Sequence, residues 1–424
     1  MSRFNETKPA WPVASLVLLT GLNLLDYLDR QLLAAVLPKL QPELGLNDEQ
    51  AGTIGTAFML GYFLTAPFFG YLGDRLPRRW LIAAGVFVWS LGTLLSGHAN
   101  TFAMLIWFRA LVGFGEASFG TISPGWIADL FSPTRRNNAI SWFYLAIPVG
   151  SAFGYIVGGL IAAKWGWRAA FQFAGYPGLI LAFSLFLLRE PPRGATEAGA
   201  AKNDAESAAA GWRSYFALLR FRGYVLVILG YIAQTFAMGA FSFWAPSFLV
   251  RVHHMELAAA SGFFGQALVL TGLLATIGGG YLATAWQRRT GTGYAWVLAI
   301  SALGAVPAAL AAFTLKDLAL AKAALAAAMF LLFLCTGPLN TLILETVPVT
   351  MRASAVAMSI FSIHLFGDLW SPKFVGYLSD RWGDLQRACL WSLPGALAVS
   401  AVFWCLLVAD ARRARPAKTP GSLL

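Results

Sequence analysis

Five ionisable residues stand inside runs that are otherwise apolar. Asn23-Leu24-Leu25-Asp26-Tyr27-Leu28-Asp29-Arg30 carries two acids and a cation. Arg109-Ala110-Leu111-Val112-Gly113-Phe114-Gly115-Glu116 sets a cation and an acid two helical turns apart, roughly 10 Å along one helix face. That separation is too long for Arg109 and Glu116 to pair directly, so partners on other helices are implied. The obvious set joins Arg30 to Glu116 or to Asp29. Charges buried in an apolar span cost a few kcal/mol or more each and mark function by default. A buried carboxylate beside an arginine can exchange a proton for contact with an anionic ligand. Burial and the cation act on such an acid in opposite directions, so its protonation follows conformation. Asp26 has a second reading, facing a polar groove without titrating. A third run, His364-Leu365-Phe366-Gly367-Asp368-Leu369-Trp370-Ser371-Pro372-Lys373, adds a histidine that can titrate near neutral pH. His364 is as readily a plain hydrogen-bonded helix residue. Asp368 and Lys373, five apart, are poor partners on one helix.

The elements that must position these residues are membrane spans. Of 424 residues, 58% are hydrophobic and only 12% charged, against about 25% charged in a soluble domain. A globule of this size has too little interior for that much apolar surface, so lipid is the main solvent. A bilayer core requires about 20 apolar residues per helix. Twelve stretches fit that ruler: 11–37, 51–72, 80–97, 103–126, 138–163, 169–188, 223–249, 259–285, 294–314, 318–343, 353–378 and 387–409. The expected class is therefore an all-α membrane protein, with a first six-helix bundle over 1–190 and a second bundle with a basic tail over 223–424. Between them, 191–222 reads as a linker, flexible by composition and ending in the amphipathic run Trp212–Arg220. The polar stretch Met1–Pro9 leads into the first span without a cleavage site, so that span reads as a retained helix.

The net charge of +11 first suggests a nucleic acid partner. Its distribution argues instead for basic loops on one side of a membrane. Arg75, Arg78 and Arg79, then Arg135 and Arg136, Arg288 and Arg289, and Arg412, Arg413 and Arg415 all fall on the side of the two termini. The positive-inside rule makes that side cytoplasmic. Cys335, Cys389 and Cys405 lie far apart in apolar runs and read as buried thiols without metal-binding spacing. No metal and no cofactor are expected.

The two bundles repeat. Ala51-Gly52 to Gly70-Tyr71-Leu72 matches Ser261-Gly262 to Gly280-Tyr281-Leu282 at a constant shift, and Arg78-Arg79 falls on Arg288-Arg289 at the same shift. A later match aligns Asp129 and Arg136 with Glu345 and Arg352. Glycine, aromatic and charge positions agreeing together indicate duplication. Parallel six-span repeats occur in secondary transporters, which bind substrate near the midplane.

Gly70-Tyr71-Leu72-Gly73-Asp74-Arg75-Leu76-Pro77-Arg78-Arg79 resembles the signature loop of the major facilitator superfamily, Gly-x-Leu-x-Asp-Arg-x-x-Arg-Arg. Asp74 in such a loop can pair with an arginine or sit at a helix N-terminus, where the dipole favours an anion. The resemblance implies a latch made by Asp74, Arg75, Arg78 and Arg79 that breaks as the bundles rock. Thr284 stands at the Asp position of the second repeat, so the latch is asymmetric. Asp129-x6-Arg136 and Glu345-x6-Arg352 resemble the acidic-x6-Arg pairs of the same superfamily, as gates or as loop staples. Gly113-Phe114-Gly115-Glu116-Ala117-Ser118, the run Phe143–Ser151, Asp29-Arg30, and His364-x2-Gly367-Asp368-x2-Ser371-Pro372 resemble the spinster branch. That resemblance implies redistribution of lysolipids, including sphingosine-1-phosphate-like molecules in animal members, a substrate that bacterial members need not share. It carries Asp29, Arg30 and Glu116 over as sites of substrate and proton coupling, with Arg109, Asp26, His364 and Asp368 beside them. Gly150-x3-Gly154-x3-Gly158-Gly159 is close to an antiporter signature, but Tyr155 stands where that signature has proline. Close helix packing is the better reading of these glycines.

The chain is thus expected to have the major facilitator fold and to work by alternating access. Its expected partners are protons, the bilayer and a small amphiphilic anion such as a lysolipid. A polar organic anion or drug-like amphiphile is the rival substrate. No Gly-x4-Gly-Lys-Ser/Thr loop provides for ATP, and no HExxH or GxSxG motif suggests an enzyme. The expected setting is a cell membrane, specifically a bacterial inner membrane, with the chain acting as a monomer.

Overall fold

The computed structural model describes residues 11–196 and 213–413. The segment Met1–Pro9, the stretch 197–212 of the linker, and Arg415 of the basic tail lie outside the described residues. Helices make up the described chain, and no strand occurs among those residues. They fall into two compact units, one from Met1–Ala205 with Leu249–Gln266, the other from Glu206–Phe248 with Ala267–Leu424.

The first unit holds α1 (Trp11–Leu44), α2 (Asp48–Gly73), α3 (Arg78–Ser96), α4 (Phe102–Leu130), α5 (Pro133–Trp165) and α6 (Trp167–Ser184). Local sequence sets their ends. The Asn47 side chain accepts from the Gln50 backbone N–H while the Gln50 side chain accepts from the Asn47 N–H, a reciprocal cap that starts α2. Thr101 caps α4 through the Met104 N–H, and Pro133 opens α5, where its missing N–H costs nothing. Inside the unit, α1 packs on α5, α2 on α4, and α3 on both α4 and α6. Leu19, Leu22, Val86, Trp89, Val112, Phe119 and Trp126 fill the core between them.

Glycines set how closely these helices approach. A Cβ on Gly150 or Gly154 would lie 2.4 Å from the Leu24 or Leu28 carbonyl oxygen of α1. The glycine row of α5 is therefore a packing face, as its spacing suggests.

The second unit holds the short α7 (Arg213–Leu218), most of α8 (Arg222–His253) and α9 (Leu257–Thr290), then α10 (Gly293–Thr314), α11 (Leu318–Leu334), α12 (Thr336–Glu345), α13 (Arg352–Ile363), α14 (Ser371–Trp382) and α15 (Leu385–Arg413). Leu218 at the end of α7 is fully buried in a core with Tyr224, Val227, Leu298 and Trp404. The amphipathic run that opens this unit thus docks Leu218 inward with Tyr215 packed beside it, while Phe216 stays exposed.

Among the described residues eleven helices are long and apolar enough to cross a membrane, with α11 and α12 counted as one span, Leu318–Glu345. The remaining expected span, 353–378, is broken. It runs as α13, a π-helical turn at His364–Asp368, and α14. Pro372 in the first turn of α14 cannot donate a backbone hydrogen bond to the turn before it, so the helix interrupts there. The Trp244 indole N–H donates to the Pro372 carbonyl at 2.9 Å and fixes the break. One cysteine departs from expectation. Cys335 and Cys389 are buried, but Cys405 is exposed on α15, because a membrane helix can turn an apolar face outward.

Candidate functional site

The charged residues of α1 and α4 converge in the first unit. Asp26, Asp29 and Arg30 are three and four residues apart and so share one face of α1. Gly113 and Gly115 seat α4 closely against α2 and α3. A Cβ on Gly113 would lie 2.1 Å from the Phe58 carbonyl oxygen of α2, and one on Gly115 would lie 2.5 Å from the Gly85 carbonyl oxygen of α3. The glycines just before Glu116 thus serve to place it.

Two ion pairs result, and they differ in kind. Arg109 Nη1 donates to Asp29 Oδ1 at 3.1 Å, with both side chains almost wholly buried. The Thr93 hydroxyl of α3 donates to the other Asp29 oxygen. Asp29 is therefore satisfied on both oxygens in a dry site. Arg30 Nε donates to Glu116 Oε2 at 2.9 Å, and Arg30 Nη2 lies 3.4 Å from Asp26 Oδ2. Here the arginine side chain keeps 19% of its surface, while Glu116 has none. The rings of Tyr27, Phe58 and Tyr62 surround the Arg30 guanidinium at 4.6, 5.5 and 4.9 Å, as a desolvated cation favours. Phe58 also faces Arg109 at 5.1 Å, so one ring separates the two cations.

Of the two partners open to Arg30, the structure selects Glu116, and Asp29 goes to Arg109. The reading of Asp26 as a group facing a polar groove is corrected. It is 2% exposed and paired with Arg30, because one helical turn brings positions 26 and 30 together. Two oxygens of this half of the cluster, Asp26 Oδ1 and Glu116 Oε1, are buried without a hydrogen-bond partner. A carboxylate only accepts, so a proton on either acid would supply the missing donor. With all five groups ionised the cluster carries three negative and two positive charges. One proton makes it neutral.

Thr93 and the ring cage around Arg30 are not visible as site residues in the sequence. Tyr27, beside Asp26, was the one available signal.

The signature loop lies at the other end of α2. Asp74 is exposed at the C-terminus of α2 and pairs with no cation among the described residues. The ion pair at this end is instead Arg78 Nη1 to Asp129 Oδ2, at 2.5 Å. Arg75 lies over the Tyr71 ring, and Arg79 donates to the Leu188 carbonyl at 3.3 Å. Arg136 reaches Thr196 at 2.9 Å rather than Asp129.

The start of the expected linker is also corrected. Residues 190–196 are held as a clasp. Glu190 accepts from the backbone N–H groups of Arg78 and Arg79 at the start of α3, where a helix favours an anion. Arg193 donates to the Gly73 and Leu76 carbonyls at the end of α2, and the Gly194 N–H donates to Asp129. Exposed helix ends supply the partners that composition does not foresee.

At the opposite end of the unit, Arg251 from the last turn of α8 is bound to α1 and α2. Its Nη1 lies 2.8 and 3.0 Å from the Asp48 oxygens, and its Nη2 donates to Gln41. Gln41 also donates to Asp48 at 2.8 Å. Ser261 and Phe264 of α9 complete this contact on the Ala35 carbonyl and the Tyr155 ring. Arg251→Gln is expected to cost about 1–2 kcal/mol, less than loss of a fully buried pair because the Arg251 side chain is one-third exposed. A thermal melt of the purified protein measures it. An unchanged melting temperature would show that the contact is incidental.

In the second unit, His364 Nδ1 lies 3.0 Å from Asp368 Oδ1 across the π-helical turn. The pair sits against α8, where a Cβ on Gly239 would fall 2.6 Å from Asp368 Cβ. A π turn in a membrane helix often marks a functional position. Glu345 and Arg352 do not pair. Arg352 Nε donates to the Leu344 carbonyl at 3.1 Å, as a loop staple does.

Charged pairs buried between apolar helices, with no motif for covalent chemistry, are the architecture of a membrane carrier. Residues 19–367 match the Major Facilitator Superfamily. The chain belongs to that superfamily and is a multi-pass membrane transporter, not an enzyme. Within it, the chain is of the spinster type. It is 34% identical over 406 residues to Protein spinster homolog 1 of Homo sapiens, covering 90% of this chain and 75% of that one. It is also 34% identical over 392 residues to the sphingosine-1-phosphate transporter SPNS2 of Danio rerio, covering 87% and 76%. A crystal structure of a bacterial homolog of the human lysosomal transporter Spinster superposes with a TM-score of 0.85 at 23% identity, over 97% of this chain and 100% of that one. That likeness concerns the fold.

Proposed function

We propose that this transporter moves an amphiphilic anionic lipid, a lysophospholipid or a sphingosine-1-phosphate-like molecule, by proton-linked alternating access. The observation that carries the reading is the Arg30 guanidinium. It is partly open, caged by three aromatic rings, and held by two carboxylates that each retain an unpaired buried oxygen. The negative headgroup of a lysolipid and the carboxylates of Glu116 and Asp26 compete for this one cation. A proton on an acid weakens its hold and frees Arg30 for the headgroup, so anion binding tightens as pH falls. The Danio rerio relative named as a sphingosine-1-phosphate transporter supports the substrate class. The basic loops support a cell-membrane location with both termini in the cytoplasm. The chain works as a monomer, and Arg78–Asp129 and Glu190–Arg78 belong to a gate near the cytoplasmic ends of α2 to α4.

The test is uptake into proteoliposomes of the full chain, comparing lysophospholipids with and without an imposed pH gradient. Gradient-stimulated lysolipid flux is expected. Exchange of small organic anions with no lysolipid movement would overturn the substrate, and flux indifferent to the gradient would overturn the coupling.

A further inference from the structure

The second unit carries a cleft far in sequence from the charged cluster of α1 and α4. It has a volume of ≈ 400 Å³ and is lined by Trp286, Thr290, Thr292, Trp296, Ile300 and Arg412. It is framed by the last turn of α9, the start of α10 and the end of α15. The Trp286 and Trp296 rings are stacked nearly parallel, 8° apart with centroids at 6.0 Å. The Arg412 guanidinium lies over the Trp296 ring at 4.8 Å. A stacked aromatic wall with a cation on its edge is a stiff recognition surface.

Charge in this region is unbalanced. Arg288 and Arg289 end α9, and Arg412 and Arg413 end α15. Among the described residues none of the four pairs with a carboxylate. The acid on the same turn, Asp410, is taken by Arg222 at 3.3 Å. The cleft also holds an unused hydrogen-bonding group. Thr292 is 6% exposed and its side chain does not cap α10. Its hydroxyl has no partner among the described residues, whereas the Thr290 hydroxyl donates to the Trp286 carbonyl at 2.9 Å. Ile300, exposed one turn further along α10, continues the cleft as an apolar strip.

Cations, a free hydroxyl, tryptophans at a helix end and an apolar strip leading away match a phospholipid lying at the edge of a bilayer. Tryptophan settles at the headgroup level, and basic pockets between membrane helices take anionic headgroups. We propose that this cleft binds an anionic phospholipid, with its phosphate on Arg412 and the Thr292 hydroxyl and an acyl chain along Ile300. The lipid is a resident one, held at the rim of the second unit and separate from the transported molecule. The stacked tryptophans are then a wall for the glycerol backbone, and the neighbouring arginines set the preference for a negative headgroup.

The test uses the purified full chain in detergent, followed by thermal melting and native mass spectrometry. The probes are dioleoylphosphatidylglycerol, dioleoylphosphatidylcholine and inorganic phosphate. Phosphatidylglycerol is expected to remain bound and to raise the melting temperature above that reached with phosphatidylcholine. Arg412→Gln is expected to weaken phosphatidylglycerol binding about fivefold, the effect of one basic residue at a lipid surface. Trp296→Leu tests the wall independently, and lipid-free melting of each variant reports whether it folds. Equal binding of the two lipids, or a full preference for phosphatidylglycerol in both variants, would overturn the proposal. Inorganic phosphate giving the same stabilisation as the lipid would also overturn it, assigning the cleft to a free anion.

Discussion

Glu116→Gln is expected to abolish the stimulation of transport by a pH gradient while leaving the protein folded. Glutamine keeps the shape of the side chain and an oxygen to accept from Arg30, at the 2.9 Å contact seen in the structure. It also supplies an N–H, the kind of donor that the unpaired oxygen of Asp26 lacks. The substitution removes the charge by which the acid competes for the guanidinium. A hydrogen bond to a charged group contributes about 1.5–3 kcal/mol, so an anionic headgroup should bind about tenfold tighter or more at a pH where Glu116 is ionised in the parent protein. The variant should therefore hold substrate strongly at every pH and lose the pH dependence. Equilibrium binding of a lysophospholipid to detergent-purified protein across pH 5–9, with flux measured in parallel, checks both. A variant whose affinity still strengthens as pH falls would place the coupling acid elsewhere, with Asp26 the next to test.

Much of the fold follows from apolar run length, because a bilayer sets one ruler for every span. Beside the small division of 318–343 at Cys335, the exception is the stretch 353–378. Its total length is right, but a π turn and Pro372 divide it. The members of the candidate site stand out for the same reason. Asp26, Asp29, Arg30, Arg109 and Glu116 contrast with the apolar residues around them. Their partners do not. Which acid takes which arginine depends on how α1 faces α4, and α4 is itself seated by close contacts of Gly113 with α2 and Gly115 with α3. Thr93, Phe58 and Tyr62 are ordinary residues of membrane helices until packing brings them to the charges. The clasp of Glu190 and Arg193 is hidden differently. Its partners are backbone groups at helix ends, which every sequence possesses.

The dry pair predicts a different phenotype from the open one. Arg109→Leu is expected to reduce the yield and thermal stability of the protein, with transport lost as a consequence. Arg109 and Asp29 are both almost fully buried, and among the described residues the Thr93 hydroxyl is the one further donor to Asp29. Removing one partner of such a pair strands a buried charge at about 3–5 kcal/mol, a large part of the stability of a typical domain. Adding Asp29→Asn to Arg109→Leu removes the stranded charge and keeps an oxygen for Thr93, so most of that loss should return. Arg30→Leu differs. Glu116 and Asp26 are both left without the cation, but they neighbour each other and can share a proton. The protein should then fold while failing to bind an anionic substrate. Melting temperatures of the three variants, read beside substrate binding, separate the roles. If Asp29→Asn gives no recovery in the Arg109→Leu background, the pair acts through geometry rather than charge. If Arg30→Leu melts as early as Arg109→Leu, the contrast between a structural and a working ion pair fails.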